Sequence, residues 1–291
     1  MGIRLKFNLG LLAVFIAAFI GAAFFLDRQY QASARDNVIQ NARIMLSAAN
    51  AVRRYTSEQV APAVTRGDPA WISPIIIPSY AAQTNFRAVR ADHPDYTYKE
   101  AALNPTNPAD RAQDWEADFI NAFRNNATLT VLTGERDTPT GRALTLALPI
   151  TVRDEACLVC HSTPDRAPPR MVEVYGAANG FGWRLGETIG AQVVSVPMAL
   201  PLAGARANLV SALGMLLAVF LGIMLMVNLL LQAFVIGPVT RMSRTATAVS
   251  LGQSTETDDF PTTGRDEMSE LGRAFNRMRR SLDQAVKMLG A

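Results

Sequence analysis

Cysteine and histidine are scarce in this chain, with two of each among 291 residues. Two cysteines cannot form the multi-bridge framework of a small secreted scaffold. They also leave little for a closed zinc site, because beside Cys157, Cys160 and His161 the one further donor of that kind is His93. An excess of charge of one sign is missing too. The net charge is +3, and Lys and Arg are scattered without a basic stripe interleaved with aromatics, so the sequence offers no footing for nucleic acid. Internal repeats and low-complexity tracts are absent, which excludes a solenoid or a disordered linker as the main architecture. The length leaves room for one folded domain plus membrane segments, but not for a second large catalytic domain.

What is abundant is apolar residues, at 49% of the chain. They concentrate in two blocks. Residues 7–26 read FNLGLLAVFIAAFIGAAFFL without a charge, and such a run, at about 1.5 Å per residue, covers roughly a 30 Å hydrocarbon core. A cleaved signal peptide is the alternative, since Arg4 and Lys6 precede the block. The run is longer than a usual signal core, however, and ends in Phe24-Phe25-Leu26-Asp27 without a small-x-small site, so an uncleaved anchor is expected. Residues 209–236 form the second block, with Asn228 and Gln232 its strongly polar interruptions. Arg4 and Lys6 before the first block, and Arg241 and Arg244 after the second, put residues 1–6 and 237–291 on the cytoplasmic side of a bacterial inner membrane. Residues 27–208 are then extracytoplasmic.

Within that loop, residues 28 to about 64 lack Gly, contain no Pro before Pro62, and carry Val38, Ile44, Met45, Ala48, Val52 and Tyr55 at helical spacing. They predict a long helix continuing out of the membrane. Pro-rich irregular chain follows through Trp71, Pro74 and Pro78, then a helix over Tyr80–Arg90, turn chemistry at Asn104–Pro108, and a helix over Asp110–Arg124. The β-rich runs Thr128–Thr133, Ala143–Ile150 and Thr188–Val196 predict a small antiparallel sheet packed on helices, an α+β fold.

Cys157-Leu158-Val159-Cys160-His161 is a C-x-x-C-H sequence. Two thiols at this spacing can form thioethers to the vinyl groups of a haem while the neighbouring imidazole reaches the iron. A thioredoxin-like redox pair would normally follow a strand in a βαβ pattern, which is not present here; zinc lacks partners; a plain disulfide loop is the third alternative. The motif together with export points to one covalent haem c per chain held by Cys157, Cys160 and His161.

Four segments around the motif carry a family likeness: Val52–Thr56, Pro94–Pro108, Gly134–Asp137 and Asn179–Trp183. Together they resemble the extracytoplasmic c-type haem sensor domains with a PAS-like fold, over roughly residues 35–200. The resemblance implies a five-stranded antiparallel sheet cupping the haem, and a sensory rather than enzymatic role. It also implies that the long N-terminal helix supplies the distal iron ligand, for which Met45 is the first candidate, the other reading being an ordinary core methionine. His93, Met171 and Met198 are further candidates, and Arg53, Tyr55 and Arg136 could pair with propionates.

After the second apolar block, Pro238, Met242, Thr245 and Val249 form one heptad seam, and Met268, Leu271, Phe275, Met278, Leu282, Ala285 and Leu289 a second. Leu251-Gly252 and Phe260-Pro261 mark a connector between them. With Asp266-Glu267 opening the second helix, this pattern resembles a HAMP domain, although Ser269 stands where the motif often has Gly. A generic juxtamembrane coiled coil is the plainer alternative. Because the chain stops at Ala291, the output is expected to lie in a separate cytoplasmic kinase or other signalling protein. The reading is therefore a homodimeric membrane sensor of redox state or of a diatomic gas. A membrane-anchored electron-transfer cytochrome is the alternative from another class, and a haem peroxidase a third, for which a distal His and Arg pair beyond His93 is lacking.

Overall fold

The computed structural model describes residues 2–65, 73–251, 260 and 264–289. Of the positions singled out above, Trp71, Gly252, Pro261 and Ala291 lie outside the described residues, as do the side chains of Leu282 and Leu289. The chain divides into two compact units, Leu26–Leu209 and a second made of Met1–Phe25 with Val210–Ala291.

Helix α1 runs unbroken from Ile3 to Tyr55, continues through a π-helical turn at Thr56–Val60, and ends in the short α2, Ala61–Thr65. The chain between Gly21 and Pro62 contains no helix breaker, which accounts for the length. In the Leu26–Leu209 unit, α3 (Pro78–Asp92) starts on Pro78, where the missing N–H costs nothing. Strand β1 (Thr97–Ala102) follows, then α4 (Asp114–Asn125), β2 (Leu132–Thr138), β3 (Gly141–Thr151), α5 (Ala156–His161), α6 (Pro169–Tyr175) and β4 (Thr188–Pro197).

The strands form one antiparallel sheet in the order β1-β4-β3-β2. Side chains alternate across a pleated sheet, and the sequence uses this to make two cores. On one face Leu144, Leu146, Val194 and Val196 pack with Val38, Ala42 and Leu46 of α1. On the other, Ala101, Ala147, Ala191 and Val193 pack with Ile120 and Phe123 of α4. Positions 38, 42, 46 and 49 of α1 are all buried, a stripe that holds the helix against the sheet.

Three expectations are corrected. The described residues contain four strands, not five. The run expected at Thr128–Thr133 begins only at Leu132, because the Asn126 side chain accepts from both the Thr128 N–H (3.0 Å) and its hydroxyl (2.6 Å), engaging those groups in a turn. Strand β2 runs on through Arg136–Thr138 to a two-residue turn at Pro139-Thr140, closed by Gly141 at φ 117°. The helix expected from Asp110 begins at Asp114, where the Gln113 N–H donates to Glu116 Oε2 at 2.8 Å.

The second unit contains two helices long and apolar enough to cross a membrane, the N-terminal part of α1 and α7 (Ala199–Leu231). Within it the Phe15 and Phe220 rings stack at 3.7 Å between centroids, and the Asn8 and Asn228 amides exchange hydrogen bonds of 3.1 and 2.9 Å. A π-helical turn at Gln232–Ile236 precedes α8 (Gly237–Ser250), and α9 spans Glu267–Leu289.

Candidate functional site

Helix α5 is short and carries Cys157, Cys160 and His161. Asp154 starts it, accepting from the Ala156 N–H through its side chain at 2.9 Å and from the Cys157 N–H through its carbonyl at 3.1 Å. The i,i+3 spacing puts both sulfurs on one side of the helix. Both thiols are free and half-buried. Burial, and secondarily the charge of Cys157, raises the Cys160 pKa.

His161 is held from several directions. Its Nδ1 lies 2.7 Å from the Gly180 carbonyl, and because a carbonyl can only accept, the proton sits on Nδ1. Burial lowers the imidazole pKa, partly opposed by the Gly180 bond, so the ring is neutral near physiological pH. Nε2 then carries a lone pair with no hydrogen-bond partner among the described residues, the form in which histidine ligates a metal. The Trp183 indole stacks on the imidazole at 3.7 Å between centroids and 8° between planes. Thr106 Oγ1 stands 3.4 Å from Nδ1.

The loop that does this, Asn179–Trp183, needs its glycines. Gly180 has φ 81°, and a Cβ there would lie 2.1 Å from Thr106 Oγ1; Gly182 has φ 79°. The Gly182 N–H donates to the Ser162 carbonyl at 2.9 Å and the Trp183 N–H to the His161 carbonyl at 3.2 Å, fastening the loop to the end of α5.

Next to the site, α1 contributes Asn50 and Arg53 to a part-buried polar cluster. Arg53 pairs with Glu100 of β1, which also accepts from the Tyr98 hydroxyl at 2.7 Å, while Gln192 donates to Asn50 at 2.8 Å. Burial opposes the charge on Arg53, but the Glu100 carboxylate outweighs it and raises the Arg53 pKa, with a smaller contribution from Cys157. Burial first, then Glu100, pushes the Tyr98 phenol far above its ordinary value.

The other sequence candidates are spread out. Met45 is half-buried on the face of α1 that packs on the sheet, beside the Val38–Leu46 cluster. It lies eight residues before Arg53, about 12 Å along the helix axis. Met198 is a core residue, 4% exposed. Met171 is half-buried in α6, and His93 is exposed at the end of α3 with its ring edge-on to Tyr96. Tyr55 is exposed, and the Arg136 guanidinium lies over the Trp115 ring at 4.1 Å. Thr106, Gly180 and Trp183 were legible only as parts of family-like segments. The same holds for Tyr98 and Glu100, which lie within the segment Pro94–Pro108.

In the second unit the connector end is fixed by Asn276, whose side chain accepts from the Phe260 N–H (3.2 Å) and donates to its carbonyl (3.1 Å), while Phe260 stacks on Phe275. Asp266 caps α9 through the Ser269 N–H at 3.0 Å, and the hydrogen bonds from Ser269 lower its pKa. Met242, Ala246, Leu271 and Phe275, with Ser243, Thr247 and Ser250, line a groove along α8 and α9.

A family model described as Tll0287-like matches residues 30–197, and a HAMP domain model matches residues 230–284. Among solved structures the chain is similar to one titled as the crystal structure of the cyanobacterial heme-protein Tll0287. The identity is 17% and the TM-score 0.44, covering 55% of this chain and 94% of that one. No curated protein matches.

Proposed function

The chain belongs to the Tll0287-like family and continues into a HAMP domain, and from that premise we propose that it is a membrane-bound haem c sensor. Cys157 and Cys160 would hold one haem per chain covalently, His161 would ligate its iron, and Met45 on α1 is the candidate for a second iron ligand. When bound, haem supplies an iron that changes oxidation state or takes a small diatomic ligand. The observation that carries the reading is the state of α5: two free thiols at i,i+3 beside a neutral imidazole whose Nδ1 is occupied and whose Nε2 is free. This donor set fits a c-type haem.

The sensor domain, residues 27–208 with a PAS-like fold, lies in the periplasm between spans at 7–26 and 209–236. Residues 1–6 and the HAMP domain at 237–291 are cytoplasmic. Two chains pair through HAMP and the membrane helices, because Met242, Leu271 and Phe275 line a groove that is open in a single chain. The protein is not an enzyme. A change at a bound haem would be felt by α1 and by β4, which leads into α7, and HAMP repacking would report it to a cytoplasmic output protein. HAMP favours this over a simple electron carrier, which has no use for a repacking helix pair.

The test of haem attachment is a denaturing gel. Thioethers survive denaturation, so the wild-type band should stain for haem and the Cys157→Ser/Cys160→Ser band should not. Equal staining of the two would overturn the assignment.

A further inference from the structure

Resting on the haem reading, we propose that Trp183 is a positioning residue that fixes the plane of the proximal imidazole and so sets the reduction potential of the iron.

An imidazole can turn about its Cβ–Cγ bond unless something prevents it. Here the hydrogen bond from Nδ1 to the Gly180 carbonyl acts in the ring plane, and the Trp183 indole acts across it, 8° from parallel at 3.7 Å. Turning the ring would break both contacts at once. The loop carrying these groups cannot drift from α5, because the Gly182 and Trp183 N–H groups are bonded to the Ser162 and His161 carbonyls. Thr106 backs Gly180 so closely that no side chain fits between them. The two thiols that would anchor the macrocycle sit on the same short helix as the imidazole. A ring fixed relative to α5 is therefore fixed relative to whatever Cys157 and Cys160 hold.

A plain packing role does not account for Trp183. It belongs to neither hydrophobic cluster, it is only half-buried, and among the described residues its ring contact is with His161. Its removal should leave both cores intact.

Outer partners of metal-bound histidines raise ligand basicity, and losing them typically changes metal affinity about 10–100-fold. A stronger donor favours ferric iron. Loosening the clamp weakens the Nδ1 bond and should therefore raise the potential. A tenfold change in the ferric-to-ferrous ratio corresponds to about 59 mV for one electron.

The experiment uses full-length protein in detergent, with a haem-stained denaturing gel, a potentiometric titration and the ferric electron paramagnetic resonance spectrum. Trp183→Leu should keep its haem stain, move the potential upward from wild type, and broaden the ferric signal as the ring samples several orientations. Trp183→Phe keeps a flat face and should stay close to wild type in both. Should Trp183→Leu fail to accumulate, Trp183→Met, which fills more of the space but offers no flat face, carries the same test. A stained Leu or Met variant with wild-type potential and spectrum would overturn the proposal. An unstained wild-type band would instead overturn the haem reading beneath it.

Discussion

Replacing Arg53 by Met removes the positive half of a pair whose negative half is shut away from water. The Glu100 side chain is 5% exposed and that of Arg53 26%. Breaking a buried ion pair by deleting one partner costs about 3–5 kcal/mol, mostly from the stranded charge. Two features of the site reduce this figure. The exposed part of Arg53 gives water a route toward Glu100, and the Tyr98 hydroxyl still donates to Glu100 at 2.7 Å, a bond to a charged group worth about 1.5–3 kcal/mol. A net loss of about 2–3 kcal/mol is expected. For a unit the size of Leu26–Leu209, each kcal/mol moves the melting temperature by roughly 2–4 °C, so Arg53→Met should melt about 4–12 °C lower. The Arg53→Met/Glu100→Gln double variant removes the stranded charge as well and should recover most of the loss. Circular dichroism melts of the three proteins in one detergent measure this. If Arg53→Met melts with wild type, or the double variant is no better than the single one, Glu100 is not stranded and the account of the α1–sheet junction is wrong.

Three further outcomes follow from other parts of the chain. Met45→Ala should open the iron to CO or water and lower the potential, since thioether ligation favours ferrous iron, while His93→Ala should do neither; ferric and ferrous absorption spectra of both variants decide this. A cysteine at Phe275 should form disulfide-linked dimers in membranes, seen on a non-reducing gel, and a strictly monomeric result would remove the pairing through the α8–α9 groove. Asn276→Ala leaves the Phe260 backbone groups without their partner and should cost about 1–3 kcal/mol, read as faster proteolysis of the connector in membranes; unchanged cleavage would show that the Asn276 clasp does not hold it.

What could be read from the sequence was whatever depends on local pattern. The long α1, the turn at Asn104–Pro108, the C-x-x-C-H motif and the two heptad seams each announce themselves within a few residues. Strand β1 did not, because its inward position Glu100 is charged, and only its pairing with Arg53, 47 residues away, makes that burial tolerable. Thr128 has strand propensity, but Asn126 engages its donors first. The grip on His161 comes from residues 19 and 55 positions away, and its chemistry is in a backbone carbonyl, which no residue type advertises. Asn276 likewise acts on the backbone of Phe260 across the connector.

A sensor of this build requires that the state of the iron reach the HAMP helices. A benzophenone side chain introduced at Phe275 allows photo-cross-linking in native membranes poised electrochemically with mediators, so no thiol chemistry interferes. The yield of cross-linked dimer should differ between ferric and ferrous membranes, and the difference should vanish in the Cys157→Ser/Cys160→Ser background. Equal yields in both oxidation states, from membranes shown to contain the haem, would contradict the sensor account and leave a tethered electron carrier in its place.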